Sequence, residues 1–158
     1  MPLPSYAVKH QVSKDNPSIS TKLAFIKVAP LSYTSNHEGK LAEKGKFIYV
    51  IEVIEDKKTR RMTYWLSYKY RAFRAEEMPG GDKWDPTGTG KNKFIYKNTP
   101  MPSSIAEGLY FKKSVQIKDL AFLDWYRPLC GMREIKAEFI PVLDKLFDDP
   151  SNDAQEYE

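Results

Sequence analysis

The tightest constraint on this chain is the run KFIYVIEVIE over residues 46–55, which is almost wholly β-branched and aromatic. Such residues lose side-chain freedom in a helix and pack well on a pleated surface, so the run predicts a strand. Alternation puts Phe47, Tyr49, Ile51 and Val53 on one face and Ile48, Val50 and Ile54 on the other. With both faces apolar, the strand is expected at the centre of a sheet, covered on both sides. A charged run, DKKTRR over residues 56–61, follows it, and then a second long pattern, MTYWLSYKYRAFR over residues 62–74. Two strand patterns around a polar turn predict an antiparallel hairpin.

The flanking sequence supplies smaller pieces. Residues 23–29 read as a short strand ended by Pro30, residues 94–96 as another, and residues 109–117 as a longer one. Residues 119–126 fit one or two helical turns stopped by Pro128, and residues 133–139 alternate charged and apolar positions as a half-exposed strand does. Pro141 suits the first turn of a closing helix to Phe147, with Val142, Leu143, Leu146 and Phe147 facing inward. Glycines and prolines between residues 76 and 92 leave an irregular loop. Together these predict a β-rich α+β domain: about six strands in a curved, mostly antiparallel sheet or partly open barrel, with a short C-terminal helix.

A chain of 158 residues buries roughly two thirds of the surface it exposes unfolded, enough for one core without staples. The expected organisation is a polar N-terminal arm over residues 1–21, a globular domain over 22–148, and an acidic tail over 149–158. Net charge is +4, but residues 144–158 hold six acids against one base, leaving a body of +9 in residues 1–143. A basic body suggests a polyanionic partner, for whose site an acidic tail can compete or act as a docking peptide. The start of the chain lacks a signal-peptide pattern and no window is apolar enough to span a bilayer, so a cytoplasmic or nuclear protein without a membrane partner is expected.

Chemistry-bearing residues are few. Cys130 is the sole cysteine, and His10 and His37 are the only histidines, so a cysteine-based zinc site or a Cys/His pair is poorly supplied. The segment DPTGTGKN over residues 85–92 resembles a phosphate loop only in passing: Asp85 stands where its first glycine belongs and Asn92 where Ser or Thr belongs. Glu55 and Lys57 echo the acid-x-Lys element of a metal-dependent nuclease, a distant third reading that needs a further acid such as Glu38 or Glu43. Nothing in the sequence demands an enzyme or a cofactor.

The second hairpin strand is more suggestive. Strict alternation places Tyr64, Leu66, Tyr68, Tyr70 and Ala72 on a core face and Trp65, Ser67, Lys69, Arg71 and Phe73 on the other. Rings interleaved with cations form a surface on which bases stack while Lys and Arg meet phosphates. Lys57, Lys58, Arg60 and Arg61 at the turn, and Trp84, Lys91 and Lys93 in the later loop, extend that surface. The expected function is nucleic-acid binding, preferably of single strands. Two alternatives stand beside it: Trp65 and Phe73 cover a second core, or the Tyr- and Trp-bearing surface serves a protein-binding module such as an inhibitor or accessory subunit.

Overall fold

The computed structural model describes residues 5–13, 18, 32–35, 47–71, 74–77, 94–97, 108–129 and 132–156. In chain order the strands are β1 (Ser5–Gln11), β2 (Ser32–Ser35), β3 (Phe47–Glu55), β4 (Met62–Arg71), β5 (Arg74–Glu77), β6 (Phe94–Lys97), β7 (Gly108–Gln116), β8 (Arg133–Glu134) and β9 (Ala154–Glu156). The α-helices among the described residues are α1 (Leu120–Tyr126) and α2 (Ile140–Asp148). Six strands form an open mixed sheet in the order β8-β1-β3-β4-β7-β9, and β2, β6 and β5 form a separate antiparallel sheet in the order β2-β6-β5. Only β1 and β3 run parallel in the six-stranded sheet. The expected β-rich α+β architecture is therefore present.

The hairpin of β3 and β4 is its centre, paired from Phe47 with Arg71 to Glu55 with Met62. As the sequence predicts, β3 is buried on both faces: Tyr49, Ile51 and Val53 join the core beneath the helices, while Ile48 and Val50 are buried on the opposite side. Ile54 departs from that pattern and is exposed near the turn.

Both helices lie on one face of the sheet. Asp119 caps α1 by accepting a hydrogen bond from the Phe122 N–H at 2.9 Å, and Phe122, Leu123 and Tyr126 turn inward as one stripe. Leu143 and Phe147 do the same for α2, with Val142 and Leu146 at its flanks. Phe147 stacks on Phe111 of β7 with centroids 4.6 Å apart, and Phe122 meets Phe139 edge-on at 5.6 Å. Aromatic packing of this kind carries much of a small core.

Three expectations need correction. The N-terminal arm is not peripheral from residue 5 onward: β1 lies between β8 and β3, with Ser5 through Val8 and His10 buried. Its Tyr6-Ala-Val8 triplet is apolar on both faces, as an interior strand must be. The half-exposed strand over residues 133–139 shortens to β8, followed by a 3₁₀ turn at Ala137–Phe139. Beyond β8 the Ile135 N–H donates to the Ser5 carbonyl at 2.8 Å.

The acidic segment, expected as a tail over residues 149–158, is tied down through residue 156. Asp149 accepts hydrogen bonds from the Ser151 N–H and hydroxyl at 2.9 and 2.7 Å, starting a 3₁₀ turn at Pro150–Asn152. Asp153 then adopts a left-handed conformation (φ 51°), and β9 adds to the edge of β7. The strand expected over residues 23–29 and the glycine-rich stretch of residues 78–93 lie outside the described residues, as do Cys130 and His37. No helix among the described residues is long and apolar enough to cross a membrane.

Candidate nucleic-acid interface

The geometry of β4 decides which predicted site residues can act together. Tyr64, Trp65 and Leu66 pair with Val53, Glu52 and Ile51, but Tyr68 pairs with Val50, so Ser67 is an extra residue opposite one step of β3. This is a β-bulge, and one extra residue reverses every side chain beyond it. Ser67 is fully buried and its hydroxyl donates to the Val50 carbonyl at 3.1 Å. Tyr64 and Leu66 therefore face the helices, whereas Tyr68 and Tyr70 face away from them and stack on each other, with centroids 5.2 Å apart.

The bulge corrects the aromatic-basic face. Trp65 lies with Glu52 on the side away from the helices, its ring N–H donating to the Thr63 hydroxyl at 2.8 Å. Buried Glu52 there accepts a hydrogen bond from Ser114 at 2.8 Å. Lys69 and Arg71 lie on the helix side. The Lys69 ammonium sits 4.6 Å from the centre of the Phe47 ring and 5.0 Å from that of Tyr49, and it is 2.9 Å from the Asp144 carboxylate of α2. The Arg71 guanidinium covers the Phe47 ring at 4.5 Å. Asp144 also accepts the Tyr49 hydroxyl at 2.5 Å. Burial, reinforced by that acidic partner, raises the Tyr49 pKa well above the usual phenol range. Lys69 and Arg71 thus pack against the core rather than flanking Trp65. Phe73, Trp84, Lys91 and Lys93 lie outside the described residues.

The other predicted cations cluster at the hairpin tip. Asp56 closes it: its N–H donates to the Arg61 carbonyl, its carbonyl accepts the Arg60 N–H, and its carboxylate accepts the Lys58 N–H at 2.8 Å. Arg60 takes the left-handed position of the turn at φ 61°. With the backbone held this way, Lys57, Lys58, Arg60 and Arg61 are all exposed. Arg60 is 3.6 Å from exposed Glu55, and the side chains of Lys57, Lys58 and Arg61 make no ion pair among the described residues. Asp56 is occupied by its own turn, and no cluster of three acidic, His or Cys side chains suited to a metal occurs among the described residues. Glu38 and Glu43, the further acids of the nuclease reading, lie outside them.

Beside the tip lies a groove of about 470 Å³ lined by Arg61, Met62, Tyr64 and Arg127. Residues near the end of α1 reach the strands here because the Ile117 N–H donates to the Tyr64 carbonyl at 2.8 Å, starting the chain into α1 beside β4. At the helix's other end, the Lys9 ammonium of β1 donates to the Arg127 and Leu129 carbonyls at 2.9 and 2.5 Å and lies 5.1 Å from the centre of the Tyr126 ring. A cation there complements the helix C-terminus and fixes the segment bearing Arg127. Tyr126 packs edge-on against Tyr64 at 6.1 Å, and its hydroxyl is buried without a hydrogen-bond partner among the described residues. Burial raises its pKa above the usual phenol range, with Tyr64 adding to the effect.

Sequence reading did not single out Lys9, Met62, Tyr64 or Arg127 for this site. Arg127, immediately before the helix-stopping Pro128, was the one legible signal, a cation at a helix end. The strand of the acidic C-terminal segment, β9, lies elsewhere. β9 pairs with Leu109, Tyr110 and Phe111 of β7, whose Leu109 and Tyr110 lie opposite Lys69 and Tyr68. That region is about 20 Å along β4 from Met62. From Ala154 to Glu156 the strand runs away from the tip. No protein-family model matches this chain, and neither a curated protein nor a solved structure does.

Proposed function

We propose that the protein binds nucleic acid, preferably single-stranded, through the basic end of its sheet. The observation that carries the reading is the exposed group Lys57, Lys58, Arg60 and Arg61, continuous with the groove that reaches Arg127, while β9 of the acidic C-terminal segment, with Glu156, is held toward the sheet's other end. Separation of the two charges leaves the cations available to phosphates, whose neutralisation releases counterions and drives association. The lone cysteine fits a cytoplasmic or nuclear setting, where disulfides are rare and nucleic acid is the abundant polyanion.

The experiment is fluorescence anisotropy of a labelled oligothymidine across a salt series. Replacing Lys57, Lys58, Arg60 and Arg61 by Ala should flatten the plot of log affinity against log salt by about 0.7 per lost phosphate contact. Lys69→Met should leave that slope unchanged, because its ammonium is engaged with Asp144. Absence of wild-type binding at low salt to both single strands and duplex refutes the proposal.

A protein partner is the second reading, favoured by a specific observation. The exposed large hydrophobic residues Ile54, Met62 and Leu120, the last 70% exposed, belong to the tip-proximal strand ends and the start of α1. An acidic protein surface with apolar contacts would suit this end, and its affinity would depend less steeply on salt than a phosphate backbone's does.

A further inference from the structure

We propose that the groove beside the hairpin tip seats one nucleotide unit of a single strand, with its phosphate between Arg61 and Arg127 and its base over Met62 and the edge of Tyr64. This rests on the nucleic-acid reading above and names the element that selects single strands. The groove brings together the charged and the apolar side chains that such a ligand requires. Arg61 and Arg127 contribute guanidinium groups, which match phosphate oxygens in paired hydrogen bonds, and Met62 and Tyr64 contribute a thioether and an aromatic edge. A volume of about 470 Å³ lies within the range of clefts that hold small ligands.

No carboxylate lines the groove among the described residues. Asp124 approaches Arg127 at 3.6 Å, but that pair is exposed on one helix face and a phosphate displaces it at little cost. The wall is also held in place: Lys9 clasps the Arg127 carbonyl, so binding need not order that backbone segment. Lys9 is a positioning residue here, since its ammonium is turned to the backbone and to the Tyr64 and Tyr126 rings. A duplex offers phosphates to the tip but keeps its bases stacked inside, so only an unpaired strand can fill the apolar part of the groove.

The test compares three probes, an oligothymidine single strand, a duplex of the same length and inorganic polyphosphate, against the full chain and two variants. Met62→Ala removes apolar surface without changing charge, and the residue is 43% exposed, so the fold should survive, as far-UV circular dichroism would verify. It should weaken single-strand binding roughly five- to tenfold, near the low end for one lost base contact, and leave duplex and polyphosphate within twofold. The double variant Lys57→Ala/Lys58→Ala should weaken all three probes together. Equal losses on every probe for Met62→Ala, or no loss on any, overturns the groove while leaving the basic tip standing. Failure of the wild type to bind any probe at low salt overturns the groove and the nucleic-acid reading together.

Discussion

Removing the Asp144 carboxylate should destabilise the protein far more than removing the Lys69 ammonium it pairs with. Asp144 receives two donors, the Tyr49 hydroxyl at 2.5 Å and the Lys69 ammonium at 2.9 Å. Tyr49 is almost wholly buried, so Asp144→Ala leaves its hydroxyl without an acceptor, at a cost of about 1–3 kcal/mol. It also leaves an ammonium that is 16% exposed without its counter-ion; the carboxylate is itself 34% exposed, so solvent screening limits this part to about 1 kcal/mol. The sum is about 2–4 kcal/mol.

Lys69→Met is different. Asp144 still accepts from Tyr49, and the methionine stem still covers the Phe47 and Tyr49 rings, so the loss is one screened ion pair and a cation–π contact, about 1 kcal/mol. Asp144→Asn should fall between the two, since an amide oxygen can accept the phenol. Urea unfolding followed by tryptophan fluorescence measures all three as midpoint shifts at constant slope. A Lys69→Met variant as damaged as Asp144→Ala would refute the reasoning, because the ammonium would then matter as much as the buried phenol.

Three further outcomes follow from single groups. Tyr126→Phe removes a buried hydroxyl that lacks a partner among the described residues and should be neutral or stabilising by up to about 1 kcal/mol in the same unfolding assay. Asp149 is held below its ordinary value of 3.8, first by the Ser151 hydroxyl, then by the Ser151 N–H, with Lys145 adding a smaller favourable charge. A lowered carboxyl pKa stabilises the folded form above the ordinary value and ceases to do so as pH falls through the lower one. The protection of amides 151–156 from hydrogen exchange, taken relative to the unstructured rate at each pH, should therefore fall selectively on acidification through that range. Ile51, fully buried in the central strand, should cost about 2–5 kcal/mol when replaced by Ala, and an unchanged melting curve would contradict its place there.

Much of the core was legible because it is written locally. The run over residues 46–55 carries apolar residues on both faces, and burial on both faces followed. Asp119 stands immediately before α1 and accepts from its third residue, and Pro141 stands in the first turn of α2. Such signals need only neighbours within a turn of helix or two steps of strand. The exposed tip was equally readable, since six consecutive polar residues between two strand patterns have nowhere to go but solvent.

What the tertiary structure decided is the side on which each residue of β4 ends up, and which segments complete the sheet. Alternation is a period-two rule that holds only along an unbroken ladder, and Ser67 interrupts the ladder for reasons that lie in its pairing with β3. Nothing in MTYWLSYKYR announces the slip, yet it sends Trp65 to one face and Lys69 and Arg71 to the other. The same holds for β1, polar enough in composition to pass for an arm until parallel pairing with β3 buries it, and for β9, three residues whose only claim to be a strand is the open edge of β7. Local sequence determined which segments extend and which coil. Hydrogen bonds between residues far apart in the chain determined which surfaces they share, because only those bonds fix register, and register fixes the face of every side chain.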